Sequence, residues 1–184
     1  GGGYTNTAFT VNQDSNDYNA AFRTNTTTAS AAYGIFVHYP ACTPNNGQNN
    51  FITCNDASAG RFLVKSNGGV NNYQANDANL SDERVKKDIS LLGSMWDKFK
   101  AIEIVNFKYK DQTNDDFNIG VIAQQLESVA PEFIDNSGFG ETPEGEDPLK
   151  AVFTADLYHA TIKALQEAMT RIETLEAKVT TLEG

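Results

Sequence analysis

The hydrophobic positions divide the chain into stretches of different period. Up to about Tyr73, short alternating runs such as Ala8-Phe9-Thr10-Val11, Tyr33-Gly34-Ile35-Phe36-Val37-His38-Tyr39 and Arg61-Phe62-Leu63-Val64-Lys65 stand between turn clusters. Those clusters are Asp14-Ser15-Asn16-Asp17, Pro44-Asn45-Asn46-Gly47 and Ser66-Asn67-Gly68-Gly69. Alternation bounded by Gly, Pro, Asn and Asp predicts short strands joined by tight turns. From Asn71 to Asn79 the chain is polar and reads as a linker. Ile89, Leu92, Met95, Trp96 and Phe99 then recur at steps of three and four. That spacing predicts an amphipathic helix, whole or broken, with Trp96 on its buried face. Ile102 to Tyr109 reads as a strand, Asp111 to Asn118 as a turn, and Ile119 to Ile122 as the partner strand of a hairpin. Ala123 to Val129 reads as a short helix stopped by Pro131. Asn136 to Lys150, rich in Gly, Pro and acidic residues, is expected to be an exposed loop.

The clearest period lies at the C-terminal end, where Leu165, Ala168, Ile172, Leu175, Val179 and Leu182 alternate steps of three and four. With 165, 172 and 179 at heptad position a, residues 168, 175 and 182 fall at d. Arg171 and Lys178 then occupy g positions, and Glu176 and Glu183 the e positions five residues on, so each pair can bridge neighbouring parallel chains. The heptads predict a parallel coiled coil. They do not fix its size, because β-branched residues at a with Leu at d favour dimers.

Composition narrows the classes of partner. A net charge of −10, with no run of Lys or Arg, argues against nucleic acid or an anionic membrane surface. No signal peptide is read, and no apolar stretch approaches the roughly 18 residues of a spanning helix, so the sequence predicts a soluble protein. Cys42 and Cys54 flank a loop without metal-ligand or redox spacing, and free thiols are expected if the chain is made in bacterial cytosol. His38 and His159 are far apart and read as satisfied or solvated. No cofactor and no metal site is expected. Large aliphatic residues are sparse in the strand-rich part, which would bury too little alone; a core shared among several chains is the physical remedy. A carbohydrate-binding module is the competing reading there, since Tyr and Asn serve sugar stacking and hydrogen bonding.

The run Leu80-Ser81-Asp82-Glu83-Arg84-Val85-Lys86-Lys87-Asp88-Ile89 stands where the strand-rich part gives way to the helical part. A serine becomes a nucleophile when a base takes its proton, and a lysine does so when burial or neighbouring cations make it a free amine. Arg84 and Lys87 would favour that state in Lys86, while Asp82, Glu83 and Asp88 would oppose it. The bare spacing by itself favours an ordinary helix start: Ser81 as N-cap, Asp82 and Glu83 in the first turn, Lys86 and Lys87 solvated. On the residues alone both readings stay open.

From Ser81 to about Leu182 the sequence resembles the endosialidase-type intramolecular chaperone domain, the self-cleaving C-terminal module of bacteriophage tailspikes, tail fibres and neck appendages. The resemblance runs through ordered blocks: Ser81 to Ile89, Val105-Asn106-Phe107-Lys108-Tyr109, Ile119 to Glu127, Ala130-Pro131-Glu132, and Asp156-Leu157-Tyr158 leading into the terminal heptads. It implies an α+β fold in an intertwined homotrimer: a β-rich stalk end over residues 1–80, a chaperone core over 81–150 and a coiled-coil helix over 151–184. It implies a serine endopeptidase that acts once on its own chain, with scission between Leu80 and Ser81, Ser81 as nucleophile and Lys86 as its base. Oxyanion donors are expected among backbone N–H groups at the start of the helix after Ser81. The implied partners are the other copies of the chain and the upstream fibre, with host surface glycan reached through the mature fibre. The implied setting is a virion tail appendage assembled in the host cytoplasm, the chaperone piece being released after the cut. A tip that trimerises without cutting is the alternative.

Overall fold

A computed structural model describes residues 35–45, 47–140 and 142–184, and the chain divides into two compact units between Gln74 and Ala75. The expected strand at 8–11 and turn at 14–17 lie outside the described residues. In the first unit, β1 (Asn50–Asn55), β2 (Gly60–Lys65) and β3 (Val70–Asn72) form an antiparallel meander. Thr53 pairs with Leu63, and Leu63 in turn with Asn71. Asp56 shapes the first turn: its Oδ1 accepts from the N–H groups of Ser58 and Ala59, each at 2.8 Å. Its other oxygen takes the Arg61 guanidinium at 2.5 Å, and these donors hold the Asp56 carboxyl far below the usual carboxylate range, the Ser58 bonds most of all. The second turn uses Gly68 at φ +82, a conformation open to glycine.

Two expectations change here. Residues 35–39 form no strand; Tyr39 is held by its side chain instead, stacking on Phe51 with ring centroids 4.9 Å apart and donating its hydroxyl to the Asn50 carbonyl. The polar stretch begins later than expected, because Val70, Asn71 and Asn72 complete the sheet as its third strand. Cys42 and Cys54 are both exposed and unbridged.

The second unit is α+β. α1 (Trp96–Ala101) is followed by a hairpin of β4 (Val105–Phe107) and β5 (Asn118–Gly120), in which Asn106 faces Ile119. A Cβ on Gly120 would stand 3.2 Å from the Phe107 ring, so glycine lets the two strands close over that aromatic. α2 (Ala123–Val129) ends where Pro131 opens a single 3-10 turn, Pro131–Phe133. β6 (Ile134–Asp135) pairs with β7 (Ala151–Val152), so the acidic Gly/Pro stretch is the long loop of a hairpin. α3 (Thr154–Glu183) completes the unit.

Its core is small. Leu126 (2% exposed), Ala130, Phe133, Ile134, Met95 and Ala160 are buried, with Phe99, Ile102, Val121, Val129, Val152 and Leu157 packed around them. Ala160 brings the first turns of α3 onto this cluster, where a small side chain allows close approach. Further along, Glu167 of α3 reaches the start of α1: its carboxylate accepts from Ser94 Oγ at 3.0 Å, Met95 N at 3.3 Å and Trp96 N at 3.0 Å. α1 has no side-chain cap from its own sequence; Glu167 supplies one from 71 residues away.

The helix expected from Ile89 to Phe99 forms only from Trp96 on. Asp88 adopts φ +54 and Gly93 follows, so the stretch before Ser94 carries two poor helix residues; Leu91 there is 99% exposed. Trp96 is half-buried, and the Arg171 guanidinium lies over its ring at 4.0 Å. Arg171, expected to face a neighbouring chain, is therefore turned onto its own chain. Beyond it, Ile172, Leu175, Val179 and Leu182 of α3 are exposed.

Candidate functional site

The segment Ser81 to Lys86 is built around one 3-10 turn, Glu83–Val85. Ser81 is not its cap. Asp82 is, because its Oδ1 accepts from Arg84 N at 2.9 Å while its own carbonyl accepts from Val85 N at 3.2 Å. The turn closes with Lys86 N donating to the Glu83 carbonyl at 3.0 Å. So tight a reversal carries the chain back on itself within five residues. The Ser81 hydroxyl, outside the turn, is left for the Lys86 side chain, and Nζ lies 2.6 Å from Oγ.

Arg84 is engaged elsewhere. Its Nε donates to Asp82 Oδ1 at 2.9 Å and its Nη2 to Oδ2 at 2.7 Å, a two-pronged pairing that suits the guanidinium fork. This lowers the Asp82 carboxyl and raises the Arg84 guanidinium. The cation expected to press on Lys86 is thus matched by the acid expected to oppose it. Leu80, the residue before Ser81, is 79% exposed, and Ser81, Val85, Lys86 and Lys87 are exposed as well. The site is an open, exposed turn. Among the N–H groups expected to receive an oxyanion, those of Arg84, Val85 and Lys86 are already donated within the turn.

His38 stacks on Phe36 at 5.2 Å, and His159 Nδ1 is 2.7 Å from the Ala155 carbonyl one turn earlier in α3. The Asp82 clamp is the feature sequence reasoning missed; the signal available was an acid and an arginine two positions apart at the mouth of a turn.

The turn brings serine and lysine together at the head of a small α+β unit with a long terminal helix. Residues 81–135 match the family described as chaperone of endosialidase, a peptidase family by its name. The match begins at Ser81 itself. Among curated proteins, a probable tail fiber protein of Escherichia phage Phieco32 is 32% identical over 116 residues, which covers 62% of this chain. The aligned part is 16% of that relative's length.

Proposed function

We propose that this chain is the C-terminal intramolecular chaperone of a phage tail fibre, which drives homotrimer assembly and then releases itself by cutting between Leu80 and Ser81. The observation that carries the reading is the 2.6 Å approach of Lys86 Nζ to Ser81 Oγ, at the first residue of the family match. Lys86, as a free amine, takes the Ser81 hydroxyl proton while Oγ attacks the Leu80 carbonyl carbon. The tetrahedral intermediate collapses with loss of the Ser81 nitrogen, which receives the proton back from the Lys86 ammonium. An ester now joins Leu80 to Ser81 Oγ. Water hydrolyses it, leaving a Leu80 carboxylate and a restored serine that begins the released piece.

Assembly supplies what the open turn lacks. The exposed apolar positions Ile172, Leu175, Val179 and Leu182 of α3 support a parallel association of copies. That association holds the upstream stalk segments in register while slow, non-local strand pairing completes. Once the chaperone is cut away, the connection through which the trimer could unwind is gone, and the fibre is locked kinetically. The relative from Phieco32, named as a tail fibre protein, supports a virion tail appendage as the setting.

The test is the intact mass of purified protein under denaturing conditions, beside its oligomeric size. Two fragments meeting at Leu80-Ser81 are expected from the parent chain. Ser81→Ala and Lys86→Ala should each stay whole while still assembling. Efficient cutting in either variant overturns the dyad, and an assembled parent that never cuts favours a structural trimerisation tip.

A further inference from the structure

We infer that Asp82 is a positioning residue for the cut, holding Ser81 and Lys86 in reach of each other by fixing the turn between them. The inference rests on the cleavage reading above. A lysine side chain is long and freely rotating, and here it is exposed, so packing does not aim its amine at the serine. What brings the pair together is the backbone reversal over Glu83, Arg84 and Val85. A three-residue 3-10 turn is weak by itself. Besides the turn's own backbone bond from Val85 N to the Asp82 carbonyl at 3.2 Å, the Asp82 side chain reinforces it, with Oδ1 accepting from Arg84 N at 2.9 Å.

The same carboxylate disposes of the turn's arginine. With Nε on Oδ1 at 2.9 Å and Nη2 on Oδ2 at 2.7 Å, the guanidinium is folded back on Asp82. Arg84 is thereby kept from competing with Lys86 for the serine hydroxyl as a hydrogen-bond donor. An exposed ion pair of this kind contributes little stability. The larger part of the effect therefore belongs to the cap, which an amide oxygen at the same position can also supply.

The experiment measures the first-order rate at which full-length chain gives the two fragments after dilution from denaturant, in the parent and in Asp82→Ala, Asp82→Asn and Arg84→Met. Asp82→Ala should cut about fivefold more slowly, the population loss that follows removal of one capping side chain. Asp82→Asn should recover most of the parent rate, and Arg84→Met should stay within about twofold of it. Melting temperature and oligomeric size are compared in an uncut Ser81→Ala background, where adding Asp82→Ala should change neither. Asp82→Ala cutting at the parent rate overturns the positioning role, and so does Asp82→Asn cutting as slowly as Asp82→Ala. A parent chain that stays whole, or a Ser81→Ala chain that cuts, overturns the cleavage reading itself and the positioning role with it.

Discussion

Removing the Glu167 carboxylate tests whether α3 anchors the chain that leads away from the Ser81–Lys86 turn. Glu167→Ala leaves three donors without their acceptor: Ser94 Oγ, Met95 N and Trp96 N. The hydroxyl of Ser94 is exposed and recovers water easily, whereas Met95 is 5% exposed and its backbone is poorly placed to do so. Loss of a capping side chain costs about 1 kcal/mol and up to about 2, and a bond to a charged acceptor contributes about 1.5–3 kcal/mol. Alanine's better helix propensity returns a few tenths of a kcal/mol within α3. A net loss of about 2 kcal/mol follows, which in a chain of this size lowers the melting temperature by about 4–8 °C. Glu167→Gln keeps one acceptor oxygen and should lose about half as much. The assay is thermal unfolding at one fixed protein concentration in the uncut Ser81→Ala background, since association adds to apparent stability. A Glu167→Ala chain that melts within about 1 °C of its parent would mean the cap contributes almost nothing, and the reasoning from its three bonds fails.

Acid should weaken a second set of contacts. The Glu127 carboxyl is held below its ordinary value chiefly by its hydrogen bond from Lys150, and Glu132 likewise by Lys98. Their folded-state values are depressed, so their stabilisation is complete above the ordinary carboxylate range and is lost as the pH falls through the folded values. The melting-temperature advantage of the parent over Lys150→Ala should therefore shrink as the pH falls from neutral into that range; an advantage that grows contradicts the sign. On α3, Ile172 is 54% exposed in the single chain. Ile172→Asp should abolish self-association in sedimentation while the thermal unfolding transition of the folded core persists, and unchanged association would remove the heptad stripe from the interface.

The parts of this structure legible from sequence are those whose signal is local. Ala123 to Val129 was readable because Pro131 ends it, and the long terminal helix because its heptads run unbroken. The hairpin was readable too, although its strands are shorter than the apolar runs suggest. The strand Asn50–Asn55 escaped notice because its polar ends resemble the turn clusters around it, and pairing with Gly60–Lys65 decided the matter. Ile89 to Met95 carried a helical period yet formed no helix, since the cap that α1 uses comes from Glu167, far along the chain. Long-range caps leave no mark in a local window. The spacing of Ser81 and Lys86 was visible but uninformative until it stood among the ordered blocks of the resemblance. Which residue capped the turn depended on whether Ser81 or Asp82 reached Arg84 N, a choice between two good capping residues that spacing does not make.

In the proposed function, the position of Glu167 and Arg171 along α3 connects assembly with the Ser81–Lys86 turn. Up to Arg171 the helix is docked, with Ala160 on the core, Glu167 on the start of α1 and Arg171 over Trp96. From Ile172 onward every residue of α3 is exposed. Short helical segments without packing are marginal in water, so in the proposed function the outer part of α3 gains firmness when its apolar stripe meets other copies. Ordering that outer part stiffens the turn immediately before it, where Glu167 and Arg171 hold Ser94 to Trp96. Those residues are the anchored end of the segment that begins at Lys86. In the proposed function, association along the stripe therefore tightens one end of the chain on which the lysine sits, and the same helix that gathers the copies also steadies the site that finally releases them.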